Sequence, residues 1–303
     1  MIFRNTYRDL LWIDAERPTH EEIRALMEEF DIHPIVADEL LTPSLRPKVD
    51  HYENFIYLIL HFPAIRHSHA NTSQEVDFII GKKFIITVRY ELLDPLHKFS
   101  KVFEVNSILD KSDIGEHAGF LFFYMIRKIY SSLQHELSII GERLKDVEEK
   151  IFGGQERAMV QSLSNTHRDL LTFHRAMRLH KPVLLSLGIA CEEFFGKDFR
   201  HYTDNIVGEF YKVEELMEDQ KEVLNDLRAT NDSLLSTKTN EIMKALTATT
   251  FLMLPATLIA QVFSMNSRDI PIVNLPHSFY IIIAIMLVVA SCTFVFFRSK
   301  KWL

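Results

Sequence analysis

Cysteine is scarce in this chain, and the shortage removes two architectures at once. Cys191 and Cys292 stand far apart, the second inside an apolar run, so no disulfide framework and no cysteine-based zinc site can be drawn. A reducing compartment is the resulting expectation. A secretory h-region is missing as well: "MIFRNTYRDLLWIDAERP" carries Arg4, Arg8 and Asp9 and no sufficient apolar run, which predicts an N-terminus that stays in the cytoplasm. Gly81-Lys82-Lys83 lacks the spacing of a phosphate-binding loop. No nucleophile, base and oxyanion set can be assembled, so the chain does not read as an enzyme. The histidines are scattered; His67 and His69 in "RHSHAN" lack a third ligand and read as a solvated turn. Internal repeats and low-complexity linkers are also absent.

Positive charge is short in most of the chain. Residues 242–303 carry Lys244, Arg268, Arg298, Lys300 and Lys301 against Asp269, a net +4, which leaves −11 of the total −7 for residues 1–241. So acidic a body repels phosphates, and nucleic acid is excluded as a partner.

Charge is missing altogether from two stretches, "ALTATTFLMLPATLIAQVFSMNS" (245–267) and "FYIIIAIMLVVASCTFVFF" (279–297). Each is long enough to cross a bilayer core of about 30 Å. Lys238 and Lys244 precede the pair and Arg298, Lys300 and Lys301 follow it, whereas the connection holds only Arg268. The positive-inside tendency therefore places both outer ends in the cytoplasm, with Tyr280 and Trp302 as interfacial anchors of the second span. The expected molecule is a large cytoplasmic body on a two-helix hairpin, multi-pass in the lipid bilayer of a cell (inner) membrane.

The body mixes strands and helices before it becomes wholly helical. "DLLWID", "NFIYLILHF" and "VDFIIGKKFIITVRY" read as strands, the last two halves as a hairpin turning at Gly81-Lys82-Lys83. Thr19 and Glu22 have capping-box spacing and predict a helix start. After Gly119 apolar residues recur every three or four positions up to Gly153-Gly154, and a second helix is expected from Glu156 to Phe195, bent at Pro182. A third starts near Thr203 and meets no breaker until Pro255; from 205 to 263 it would be roughly 85 Å long. The expected fold is an α+β cytoplasmic domain with a long helical stalk and two C-terminal transmembrane helices. Its parts are an α/β domain (1–118), long antiparallel helices (119–202), a stalk helix continuing as the first span (203–265), an outer loop (266–278), the second span (279–297) and a basic tail (298–303). The six carboxylates of "EELMEDQKEVLNDL" read as a solvated helix face, with intersubunit cation binding as the alternative.

Steps of three and four along the first span give Asn240, Met243, Thr247, Thr250, Leu254, Thr257, Gln261 and Ser264, six of them polar and uncharged. Such a stripe belongs against other helices or water, not lipid. On its own it supports a helix–helix seam and a pore equally. A pore requires several copies in a ring, because one chain supplies one stripe. Neutral hydroxyl and amide oxygens suit a hydrated magnesium ion, which gives up water reluctantly.

"TKTNEIMKALTATTFLMLPATLIAQVFSMN", the short outer loop, the second apolar span and the ending "KKWL" resemble the CorA family of divalent-cation transporters. "RPKVDHYENFIYLILHF" and "EVDFIIGKKFIITV" extend the resemblance over most of the chain. It implies a funnel-shaped homopentamer with both termini inside, taking up Mg2+ as the transported ion through a central pore, with Co2+ or Ni2+ as further cargo and no resident cofactor. It also implies that Asn240, Met243, Thr247, Thr250, Leu254, Thr257 and Gln261 line the pore, and that Ser264, Met265 and Asn266 form the selectivity ring. Magnesium as a regulatory ion bound between protomers is implied too. An ungapped alignment from Asn240 puts the acidic stalk position of the family on Ala229, leaving Asp226 and Asp232 as flanking metal ligands. The chain departs from the family at Ser264, where the Gly-Met-Asn signature has glycine, at Gln261, and in the loop "SRDIPIVNLPHS", which lacks the acidic Met-Pro-Glu stretch. These departures leave two alternatives: transport of another divalent ion such as Zn2+, coupled to protons, and a non-conducting membrane-anchored sensor or scaffold.

Overall fold

A computed structural model of the protein describes residues 2–7, 9–44, 46–63, 73–90, 116–265 and 277–299. His67, His69, Asn266, Arg268, Asp269, Lys300, Lys301 and Trp302 lie outside the described residues. The chain divides into two compact units, residues 1–228 and 229–303.

The first unit is built on a six-stranded sheet in the order β1-β2-β6-β5-β4-β3. Its strands are β1 (Ile2–Tyr7), β2 (Leu10–Glu16), β3 (Lys48–His51), β4 (Phe55–Pro63), β5 (Ser73–Gly81) and β6 (Phe84–Arg89). All neighbours are antiparallel except β2 and β6, which pair in parallel with Trp12 opposite Ile85. The expected hairpin is present as β5 and β6, and a Cβ on Gly81 would overlap the Phe84 ring, which keeps glycine at that turn. β1 and β3 escape the pattern reading because they are edge strands, whose alternation is weaker.

Residues Ile56 to Leu60 of β4 are all buried, which a strand achieves only when both sheet faces are covered. On one face, helices α1 (His20–Phe30) and α2 (Pro34–Glu39) set Ile23, Leu26, Val36 and Leu40 over Ile13, Tyr57, Ile59, Ile79 and Val88. The capping box forms as read: the Thr19 hydroxyl accepts from the Glu22 amide and the Glu22 carboxylate accepts from the Thr19 amide. On the other face lie α3 (Ala118–Phe152), α4 (Glu156–Met177) and α5 (His180–Phe195). Phe122 of α3 meets Phe78 edge-on at 5.4 Å, and Phe62 does the same to the His180 ring at 5.2 Å.

The expected single helix from 156 to 195 is two helices. The interruption falls at Arg178-Leu179 rather than at Pro182. Pro182 has no N–H for the Arg178 carbonyl and its ring crowds that carbonyl, so the break appears one turn before the proline. Helix α6 then runs from Arg200 to Ser264 with Pro255 inside it, and α7 covers Ser278–Ser299.

Candidate ion pathway

Among the described residues two helices are long and apolar enough to cross a membrane: the C-terminal part of α6, ending at Ser264, and Phe279–Ser299 of α7. Alternating burial marks where they pack. In α6 the less exposed positions are Ala248, Leu252, Pro255, Ala256, Ile259 and Phe263. In α7 they are Ile282, Ile285, Met286, Val289, Ala290, Thr293 and Phe297. Both sets step by three and four, the spacing of a helix–helix seam. Phe251 and Phe297 close it with ring centroids 5.8 Å apart.

Thr247, Thr250, Leu254, Thr257 and Gln261 fall on the side of α6 away from that seam, at about 100° of rotation per residue. Each is exposed in the single chain, as are Asn240, Met243, Ser264 and Met265. The seam with α7 therefore does not use the polar stripe. Composition could not reveal this, since both faces of the span contain apolar residues; only the position of α7 separates them.

The threonine hydroxyls have a defined polarity. Thr250 donates to the Leu246 carbonyl and Thr257 to the Met253 carbonyl, each at 2.9 Å, and Thr249 donates in the same way to Ala245. With the hydroxyl proton committed to the backbone, the oxygen lone pairs are what remain for a ligand. A surface of acceptors suits the water shell of a cation. Pro255 supplies no N–H to the Phe251 carbonyl, so one backbone acceptor in the span lacks its usual partner.

At the end of α6, the Met265 amide donates to the Val262 carbonyl at 3.3 Å, so Ser264 and Met265 close the helix and hand the chain directly to Asn266. Asp226 and Asp232 are exposed, as is Ala229 between them. Among the described residues no three His, Cys, Asp or Glu side chains come together to hold a metal ion.

A mixed sheet sandwiched by helices, followed by a long helix and two apolar spans whose polar stripe is left free, defines an integral membrane protein of the transporter or channel class. The chain belongs to the family described as CorA-like Mg2+ transporter protein, whose model matches residues 7–301. It is 24% identical over 282 residues to the cobalt/magnesium transport protein CorA of Thermotoga maritima, an alignment spanning 93% of this chain and 80% of that one. The protein of the same description from Methanocaldococcus jannaschii is 23% identical over 294 residues, 97% of this chain and 92% of the other. The complete structure of the CorA magnesium transporter from M. jannaschii superposes with a TM-score of 0.84 at 20% identity, covering 100% of this chain and 98% of that one.

Proposed function

We propose that the protein is a passive, channel-like importer of Mg2+, assembled as a homopentamer in which α6 lines a central pore and α7 faces lipid. The observation that carries this reading is the free polar stripe: Thr247, Thr250, Thr257 and Gln261 lie away from the α7 seam, so their oxygens require another partner. A ring of copies around a water-filled axis supplies one, and each hydroxyl then presents acceptors to the water shell of the ion. Asn240 and Met243 extend the lining on the cytoplasmic side, and Leu254 fills it between Thr250 and Thr257. Ser264, Met265 and Asn266 form the outer ring, where neutral oxygens accept from a hydrated ion without stripping it. No resident cofactor is assigned; Mg2+ is cargo and, between subunits near Asp226 and Asp232, a regulator. Both termini lie in the cytoplasm, as the lysines and arginines flanking the spans favour.

A potential of 100 mV supplies about 4.6 kcal/mol to a divalent ion, enough for uptake without ATP. Flux into sealed proteoliposomes tests the reading. Mg2+ is to be compared with Co2+, Ni2+ and Zn2+, with and without an imposed potential or proton gradient. Potential-driven Mg2+ entry is expected. Zn2+ entry that needs a proton gradient would replace the substrate assignment, and no flux of any ion from correctly assembled protein would make the chain a scaffold or sensor.

A further inference from the structure

The sheet face beneath α1 and α2 carries two buried carboxylates. Glu75 and Asp77 are successive residues on this side of β5, 6% and 0% exposed, in a strand that is otherwise a core strand. Their surroundings are fully built. The Glu75 carboxylate accepts the Ser44 amide at 2.9 Å and lies 2.9 Å from Nε2 of His61, its cross-strand partner on β4. The same His61 Nε2 is 3.0 Å from the Ser44 carbonyl. The two polar groups of Ser44 are thus gripped by an acid and an imidazole on adjacent strands.

Asp77 is deeper. Its Oδ2 accepts from the Tyr90 hydroxyl at 3.2 Å and faces that of Tyr57 at 3.5 Å, whereas Oδ1 is buried with no partner of its own. Asp77 lies two residues from Glu75 on the same face of β5, and among the described residues no cation pairs with it, so burial favours its protonated form. Burial lowers the His61 imidazole, but its hydrogen bonds to Glu75 and the Ser44 carbonyl outweigh this and raise it, so its charge is matched to Glu75; Lys48 is taken by Glu39 at 2.7 Å and Asp50 at 2.8 Å. Among the described residues no three His, Cys, Asp or Glu side chains come together to hold a metal ion, so a proton is the ligand that fits.

We propose that Asp77 holds a buried proton beside Glu75, and that this acid pair, with His61, forms a pH-sensitive latch holding Ser44, between α2 and β3, to the sheet. Every group facing Asp77 supports the protonated state or its loss in a definite direction. Burial and the Glu75 charge push the Asp77 carboxyl well above the usual carboxylate range, while the Tyr90 and Tyr57 hydroxyls act the other way. Glu39 on α2 accepts from the Tyr90 hydroxyl with its backbone carbonyl, and its carboxylate is paired with Lys48. When the proton leaves Asp77 for water, two adjacent buried carboxylates repel. Opening the latch hydrates both and frees Ser44.

Hydrogen–deuterium exchange of the full chain in detergent, followed over residues 40–47 and corrected for intrinsic rates, tests the latch. Because opening releases one proton, protection in the wild type should fall about tenfold per pH unit until Asp77 ionises in the closed state. Asp77→Asn, which keeps the shape without the titration, should flatten this fall, leaving only what the His61 imidazole contributes. It should also remove a protonated-carboxyl infrared band present in the wild type above the ordinary carboxylate range. Equal slopes in the two proteins, or the same band in both, would overturn the proposal. Should the asparagine variant fail to fold, Tyr90→Phe removes a donor that favours the ionised carboxyl and must move the levelling point up by about one pH unit; an unmoved levelling point overturns the proposal equally.

Discussion

Asn266 and Gln261 carry the same amide one methylene apart, and only the first is proposed to discriminate. Asn266 follows the helix end directly, where several copies would bring their amides into one ring. Asn266→Ala replaces an acceptor by a methyl group that cannot take a hydrogen bond from a hydrated ion. Mg2+ flux is therefore expected to drop to background with the oligomer intact by native mass, and near-normal flux would take Asn266 out of the filter. Ser264→Gly should preserve or raise flux, since the serine stands where a freer backbone is usual; complete loss would give the hydroxyl a role of its own. Titration at single residues also sets the pH dependence of stability. Burial lowers the His180 and His117 imidazoles from 6.5 to about 4, so their contribution is fully present above about pH 6.5 and is lost as pH falls through about 4. Asp77, with its carboxyl raised, contributes in the opposite sense and weakens the fold as pH rises from the ordinary carboxylate value. The two trends oppose each other between pH 4 and 6.5. Thermal unfolding of Asp77→Asn should accordingly rise more steeply with pH over that window than the wild type; identical slopes would contradict the balance.

At the scale of elements, helix α6 is continuous from Arg200 to Ser264, with Pro255 inside it. A position on its lower half can therefore report on regulation of the upper. Asp226 and Asp232 flank Ala229, each three residues away and so on neighbouring faces. An interface that brought these carboxylates together would be closed by Mg2+, and a missing ligand at Ala229 should weaken that closure. Ala229→Asp is expected to strengthen inhibition of flux by internal Mg2+, lowering the half-inhibiting concentration by about tenfold, a factor worth about 1.4 kcal/mol. Inhibition curves that superpose for the two proteins would remove this segment from the sensor. The element boundaries were legible where a local signal exists: the Thr19–Glu22 capping box, the Gly81 turn and the Gly153-Gly154 break. The interruption at Arg178-Leu179 was misplaced because a proline acts on the carbonyl four residues before it.

For the whole molecule, one polar stripe per chain means that a pore cannot be closed by a monomer. Native mass measurement in mild detergent should give a homopentamer, and reporters fused at either end should both be cytoplasmic. A stable monomer or dimer, or one external terminus, would defeat the arrangement. The first unit, residues 1–228, has a core of its own, with both faces of the sheet covered by helices.

Apolar runs, helical periodicity and capping residues are local, so the sequence alone determined the two spans, the long helices, the β5–β6 hairpin and the polar stripe itself. The CorA resemblance followed from those features in order. The parallel pairing of β2 with β6 joins residues more than seventy positions apart, and no local pattern encodes it. Tertiary structure likewise decided which face of α6 meets α7 and brought Ser44, His61, Glu75 and Asp77 into one buried cluster. Those outcomes depend on which surfaces exclude water together, and that is a property of the assembled chain rather than of any segment.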